Sequence, residues 1–129
     1  MSDKFLLEII SPDQTVLKQK TKEVTIPSYE GEMGILKGHI PLITFLRPGL
    51  ITIKAEEEKK YYVEEGTVEF SNDNLLILTS TVKNLTDFDK KTIDNLLQKA
   101  ETQLNKNDSS DKDKYLVSYK IATLKEISQ

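Results

Sequence analysis

Apolar and polar residues alternate along the first two thirds of the chain, and the spacing then becomes helical. Phe5, Leu7 and Ile9 share one parity, against Leu6, Glu8 and Ile10 on the other. Val24 and Ile26 alternate with Glu23, Thr25 and Pro27. Leu50 to Lys54, Lys60 to Val63, Thr67 to Phe70 and Leu75 to Thr79 are short runs rich in β-branched and aromatic residues, as half-buried strands require. Turn formers separate them: Ser11-Pro12-Asp13, Gly31, Gly34, Gly38, Pro48-Gly49, Gly66 and Asn72-Asp73-Asn74. Punctuation this dense predicts an antiparallel sandwich or barrel of about eight to ten strands. Asn and Asp tolerate positive φ, so residues 72–74 read as a hairpin turn.

From about residue 86 the period is helical. Ile93, Leu96, Leu97, Ala100 and Leu104 fall on one face. Thr86 to Asp89 reads as a loose capping box opening this helix. Asn105 to Asp111 is a polar loop, Ser110 to Asp113 repeats the cap signature, and a second helix runs to about Ile127. The expected architecture is an all-β sandwich over residues 1–85, followed by a C-terminal α-helical hairpin over 86–129. In the second helix Leu116, Val117, Tyr119, Ile121, Ala122 and Leu124 cover more than one face. One stripe packs on the first helix, and the remainder needs the sandwich or a partner. A few contacts of roughly 1.5–3 kcal/mol each make marginal docking, so the hairpin is expected to be able to leave.

Composition narrows the chemistry. The 129 residues suit one domain or a domain with an appendage. A net charge of -3 leaves no nucleic-acid footprint, and basic charge is nearly all lysine, with Arg47 the one arginine. There is no cysteine and a single histidine, His39. Thiolate chemistry is excluded, no metal site is expected, and no nucleophile–base constellation stands out. No run approaches the roughly 20 apolar residues of a membrane-spanning helix. Gly31, Gly34 and Gly38 match neither phosphate-loop spacing, and read as turns.

Glu30-Gly-Glu-Met-Gly-Ile-Leu-Lys-Gly-His-Ile-Pro-Leu42 carries the densest signal. It resembles the hallmark segment of epsilon subunits of F-type ATP synthases, with the following Pro-Gly turn matched by Pro48-Gly49. Leu7 to Pro12 resembles that family's first strand and turn. Val63-Glu64-Glu65-Gly66 resembles its small-Gly-Gly turn, with one glycine replaced by Glu65. The resemblance spans almost the whole chain. It implies a ten-stranded β-sandwich bound to the gamma subunit and the c-ring. It also implies a hairpin that contacts the catalytic alpha and beta subunits and can inhibit ATP hydrolysis. Such a chain is a non-catalytic rotor subunit without cofactor. It is peripheral to the cytoplasmic face of the bacterial inner membrane, held there by the complex.

The resemblance places Glu30, Gly31, Glu32, His39, Pro41 and Leu42 at the gamma and c-ring interface, with Glu30 and Glu32 in an exposed loop. On the residues alone that loop is equally a solvated turn, and His39 reads as a structural ring bonded to backbone. Met33, Leu36, Ile40, Leu42, Ile43 and Phe45 read as mostly core or interface. Lys114, Lys120 and Lys125 are candidates for contact with an acidic segment of the catalytic subunits, although their spacing also suits a solvated helix. Some bacterial relatives bind ATP at an Ile/Leu-Asp-x-x-Arg-Ala segment. The match here, Phe88-Asp-Lys-Lys-Thr-Ile93, keeps Asp89 but has Thr92 where the arginine belongs. Weak or absent ATP sensing is expected, since threonine offers no forked cationic donor. A stand-alone ligand-binding or catalytic sandwich, and an unrelated adaptor with a helical hairpin, are the competing readings.

Overall fold

The structure, a computed structural model, describes residues 3–106 and 110–128. The strands are β1 (Phe5–Ile10), β2 (Thr15–Thr21), β3 (Glu23–Ser28), β4 (Gly31–Leu36) and β5 (Leu42–Leu46). They continue with β6 (Gly49–Lys54), β7 (Glu58–Val63), β8 (Gly66–Ser71), β9 (Asn74–Leu78) and β10 (Lys83–Asn84). A 3-10 turn, Leu85–Asp87, leads into α1 (Lys90–Leu104) and α2 (Asp111–Ile127). Part of the polar loop expected at Asn105 to Asp111 lies outside the described residues.

The strands form one curled sheet in the order β10-β7-β6-β3-β5-β8-β9-β1-β2, with β4 added on β3. The curl turns on β3. Its first half pairs with β6, from Glu23↔Lys54 to Thr25↔Thr52, while Ser28 pairs with Leu46 of β5. Pro27 stands between the two pairings. A residue without an N–H suits the point where a strand leaves one neighbour and meets the next.

Parity then fills the space between the layers. Phe5, Leu7 and Ile9 of β1, Leu75 and Ile77 of β9, and Val68 and Phe70 of β8 are buried, against Val24, Ile26, Ile51, Ile53, Tyr61 and Val63. Phe5 and Phe70 meet edge to face, 5.7 Å between centroids. The expected sandwich is thus present, with one correction. β1 and β9 pair in parallel, with Leu7↔Leu75 and Ile9↔Ile77 in register, so the sheet is mixed rather than wholly antiparallel.

Asn72 and Asp73 both have positive φ (50° and 56°) and close the β8–β9 hairpin at Ser71↔Asn74, as their residue types predict. A second correction concerns Gly31 to Leu36. This stretch reads as turns and loop in the sequence, yet it pairs along its length with β3, from Ser28↔Gly31 to Glu23↔Leu36. Two glycines mask its alternation.

The first helix starts later than expected. Asn84, not Thr86, caps the 3-10 turn, and Asp89 caps α1 by accepting from the Thr92 N–H. Ser110 caps α2 by accepting from the Asp113 N–H at 3.1 Å, as its position predicts. The hairpin lies against the sandwich. Ile93 of α1 and Leu124 of α2 bury with Tyr62 of β7, supported by Leu50, Phe88, Leu96, Leu97 and Ile127. The broad apolar cover of α2 is therefore used twice, on α1 and on the sheet.

Gly66 has φ +153°, and a Cβ there would lie 2.6 Å from the Leu78 carbonyl oxygen. Gly66→Ala should destabilise the chain by roughly 2–4 kcal/mol, seen as a lower melting temperature; an unchanged one would contradict this close approach. The Asp89 carboxyl is held below its ordinary value of 3.8, first by the Thr92 backbone N–H. A depressed folded value means that the cap is at full strength above pH 3.8 and fades as pH falls through the lower folded value. Asp89→Ala should speed amide exchange at Thr92 and Ile93 at neutral pH, and the difference from wild type should shrink in acid.

Candidate partner-docking surface

Strand β5 makes the surface. Its parity sends Thr44 and Leu46 inward and Ile43 and Phe45 outward. Ile43 is 77% exposed, and Ile40 in the preceding loop is 74% exposed. Phe45 and Leu36 are each more than half exposed. Pairing extends the outward row, with Phe45 opposite Thr67 of β8 and Thr67 opposite Leu78 of β9, which is also exposed. Tyr29 leans on Phe45 with 6.4 Å between centroids. The result is an apolar band on the outer face of β5, prolonged by the β4–β5 loop. Ile40, Ile43, Phe45 and Leu36 could belong to core or interface on sequence, and none of them is core.

Acidic residues border the band. Glu69 is paired across from Ile43, and Glu30 and Glu32 are exposed. The turn carrying Glu30 is pinned by Ser28, whose hydroxyl donates to the Gly31 carbonyl at 2.6 Å and accepts from the Glu30 N–H. Gly31 has φ +120° at the start of β4. Glu32 sits on β4 opposite Pro27, on a strand rather than in a loop.

The other sequence candidates lie at the far end of β4. Five residue steps at about 3.3 Å separate the two ends by roughly 17 Å. Glu30, Gly31 and Glu32 therefore form no cluster with His39, Pro41 and Leu42; the two groups flank one edge. Gly38 donates its N–H to Asp73 Oδ1 at 2.8 Å. His39 Nδ1 lies 2.7 Å from the Ile40 carbonyl oxygen, and the ring stands edge-on to Phe70 at 5.8 Å. His39 thus braces the loop that presents Ile40. Pro41 is exposed, and Leu42 is half-buried opposite Phe70.

On the hairpin, Lys114 and Lys125 are exposed. Lys120 is not free: its Nζ lies 3.1 Å from Glu64 Oε2, an oxygen that also accepts from the Tyr62 hydroxyl at 2.8 Å. Burial first, and then the Glu64 charge, push the Tyr62 phenol well above its usual range. Asp89 is spent on capping, and Thr92 beside it supplies the N–H it accepts. Glu65, where the family turn has glycine, accepts from the Ser80 N–H and hydroxyl; the neighbouring Gly66 is the residue with positive φ. Among the described residues no group of three His, Asp or Glu could hold a metal ion, and no helix is long and apolar enough to cross a membrane.

The contacts of three residues, Arg47, Tyr115 and Glu64, have no signal in the local sequence pattern. Arg47 lies under Tyr119 of α2, 3.8 Å from the ring centroid. Tyr115 donates to the Tyr29 carbonyl at 3.3 Å and stands edge-on to Tyr119. Glu64 gathers Lys120 and Tyr62. What does stand out there is the residue type of Arg47, a lone arginine beside Pro-Gly.

The β-sandwich domain model of the ATP synthase delta/epsilon chain matches residues 4–84. An ATP synthase epsilon chain of Pelagibacter ubique is 48% identical over 130 residues, covering 99% of this chain and 100% of the relative. The epsilon chain of Rickettsia bellii is 34% identical over 101 residues, covering 75% of this chain and 94% of the relative. The fold is similar to a chain in the Euglena gracilis mitochondrial ATP synthase OSCP/F1/c-ring structure, with a TM-score of 0.81 at 20% identity, over 100% of this chain and 84% of that one. A chain in the Tetrahymena thermophila mitochondrial ATP synthase central stalk/c-ring structure gives 0.65 at 14% identity, over 96% of each. With a sandwich model over most of its strands and a relative 48% identical over the full length of both chains, the chain belongs to the delta/epsilon family of ATP synthase, as an epsilon chain, an accessory subunit of that complex rather than its catalytic one.

Proposed function

We propose that the chain is a joint of the central stalk, whose apolar band grips the gamma subunit, whose β4 edge meets the c-ring, and whose hairpin restrains ATP hydrolysis. The observation that carries the first part is the band. Large aliphatic side chains left three quarters in water, side by side, mark a surface that a partner covers. Gamma is the partner chosen because fold relatives come from central stalk and c-ring assemblies.

The acidic residues Glu30 and Glu32 suit the basic, polar loops of a c-ring, Glu30 held by the pinned turn and Glu32 by the strand β4 that follows it. Gly31 sets the turn between them, while His39, Pro41 and Leu42 shape the far end. The sandwich, residues 1–85, does the gripping. Residues 86–129 are the regulatory part, because only a small apolar cluster, Ile93 and Leu124 with their neighbours on Tyr62, docks the hairpin on the sheet. Lys114 and Lys125 are open to an acidic segment of the alpha and beta subunits, whereas Lys120 joins them only after leaving Glu64. No nucleotide role is given to Asp89. The complex holds the chain at the cytoplasmic face of the bacterial inner membrane, without a cofactor of its own.

Placing a carboxylate in the centre of a buried apolar contact costs the most there. Phe45→Glu or Ile43→Glu should weaken capture of purified gamma about 100-fold, with little change in melting temperature. Wild-type affinity in both variants would remove the band from the interface. Deleting residues 86–129 should leave gamma capture intact and raise ATP hydrolysis by the assembled head severalfold; an unchanged rate would mean the hairpin is no brake.

A further inference from the structure

Arg47 leaves β5 at the point where α2 crosses the sheet. It is only 9% exposed. Its Nη1 donates to the Pro48 carbonyl at 3.1 Å, its Nε has no hydrogen-bond partner, and among the described residues no carboxylate pairs with it. What covers the guanidinium is the Tyr119 ring, at 3.8 Å. Tyr115 steadies that ring, edge-on at 4.9 Å, while its own hydroxyl donates to the Tyr29 carbonyl.

We propose that Arg47 and Tyr119 form the release latch of the hairpin, and that the two residues pull in opposite directions. A flat guanidinium on an aromatic face is attractive, and more so when desolvated. The ring therefore favours docking. The charge beneath it does the reverse: a buried cation with an enclosed, unpaired N–H regains water when α2 lifts. An ordinary packing contact would weaken on truncation of either member. This one is poised, because the ring compensates for a charge that the docked state would be better without. The inference deepens the reading of the hairpin as a brake, and rests on it only for its consequence.

The full-length chain tests it by hydrogen exchange of the α2 amides, with the β6 amides of Ile51 and Ile53 as the internal control of folding. Tyr119→Leu, which leaves the charge under an aliphatic lid, should lower α2 protection roughly tenfold. Arg47→Met, which keeps an unbranched side chain beneath the ring and removes the charge, should raise it by a similar factor. Tyr119→Phe, which keeps the ring, should stay near wild type. A fall in both Tyr119→Leu and Arg47→Met, or no shift in either, overturns the latch. Should Tyr119→Leu disturb β6, Arg47→Met decides alone, because a simple contact requires a loss. Opposed shifts in exchange, alongside unchanged hydrolysis after hairpin deletion, would keep the latch and discard the brake.

Discussion

One corner holds the molecule together: the point where the sheet turns from one layer of the sandwich to the other. Two backbone hydrogen bonds lock it, from the Tyr29 N–H to the Phe45 carbonyl at 3.0 Å and from the Arg47 N–H to the Pro27 carbonyl at 2.9 Å. Space is exhausted there. A Cβ on Gly49 would lie 2.5 Å from Pro27 Cβ, nearer than real Cβ contacts allow. The closeness lets β3 serve β6 with its first half and β5 with its end. A bulkier pair would splay the layers and open the core between Ile26 and Leu46, both buried in it.

Each surface of interest is an extension of that corner. Phe45 precedes Arg47 by two residues: Phe45 faces out from β5, and Arg47, just past the end of that strand, lies under Tyr119 of α2. Tyr29 ends one side of the corner and touches both, leaning on Phe45 and accepting from Tyr115. The edge of β4 begins immediately afterwards at Gly31. Band, edge and hairpin dock are therefore spaced by rigid pairing rather than by loops, which suits a part that transmits force between larger bodies.

This arrangement explains what the sequence could express. Alternation in β1, β6, β8 and β9 is local, and a helical stripe such as Ile93-Leu97-Ala100 is local too, so both are legible. The excess apolar cover of α2 is legible as a demand for another surface, but not as the surface chosen. Strand β4 is obscured because Gly31 and Gly34 erase the alternation that Met33 and Ile35 would have shown. The parallel pairing of β1 with β9 joins residues almost seventy positions apart, and no period records it. For the same reason the Arg47–Tyr119 and Tyr115–Tyr29 contacts leave no trace in either segment. The family segment runs from the turn before β4 to the start of β5, so its candidate residues lie at the two ends of one strand.

Energetics separate the two docking problems. The core buries more than a dozen large side chains at or near zero exposure, and at roughly 1.5–3 kcal/mol each no partner can compete for them. The hairpin commits fewer side chains to the sandwich: Ile93 and Leu124 on Tyr62, a largely shielded ion pair from Lys120 to Glu64, and a ring over a guanidinium. An ion pair shielded to that degree sets its Coulomb attraction against the desolvation of both charges, and the guanidinium subtracts part of what its ring adds. The sandwich core therefore rests on many more buried side chains than the hairpin's dock does, as the proposed release of the hairpin requires. The difference arises from which apolar side chains found a partner across the corner and which, like Ile43 and Phe45, were left facing out.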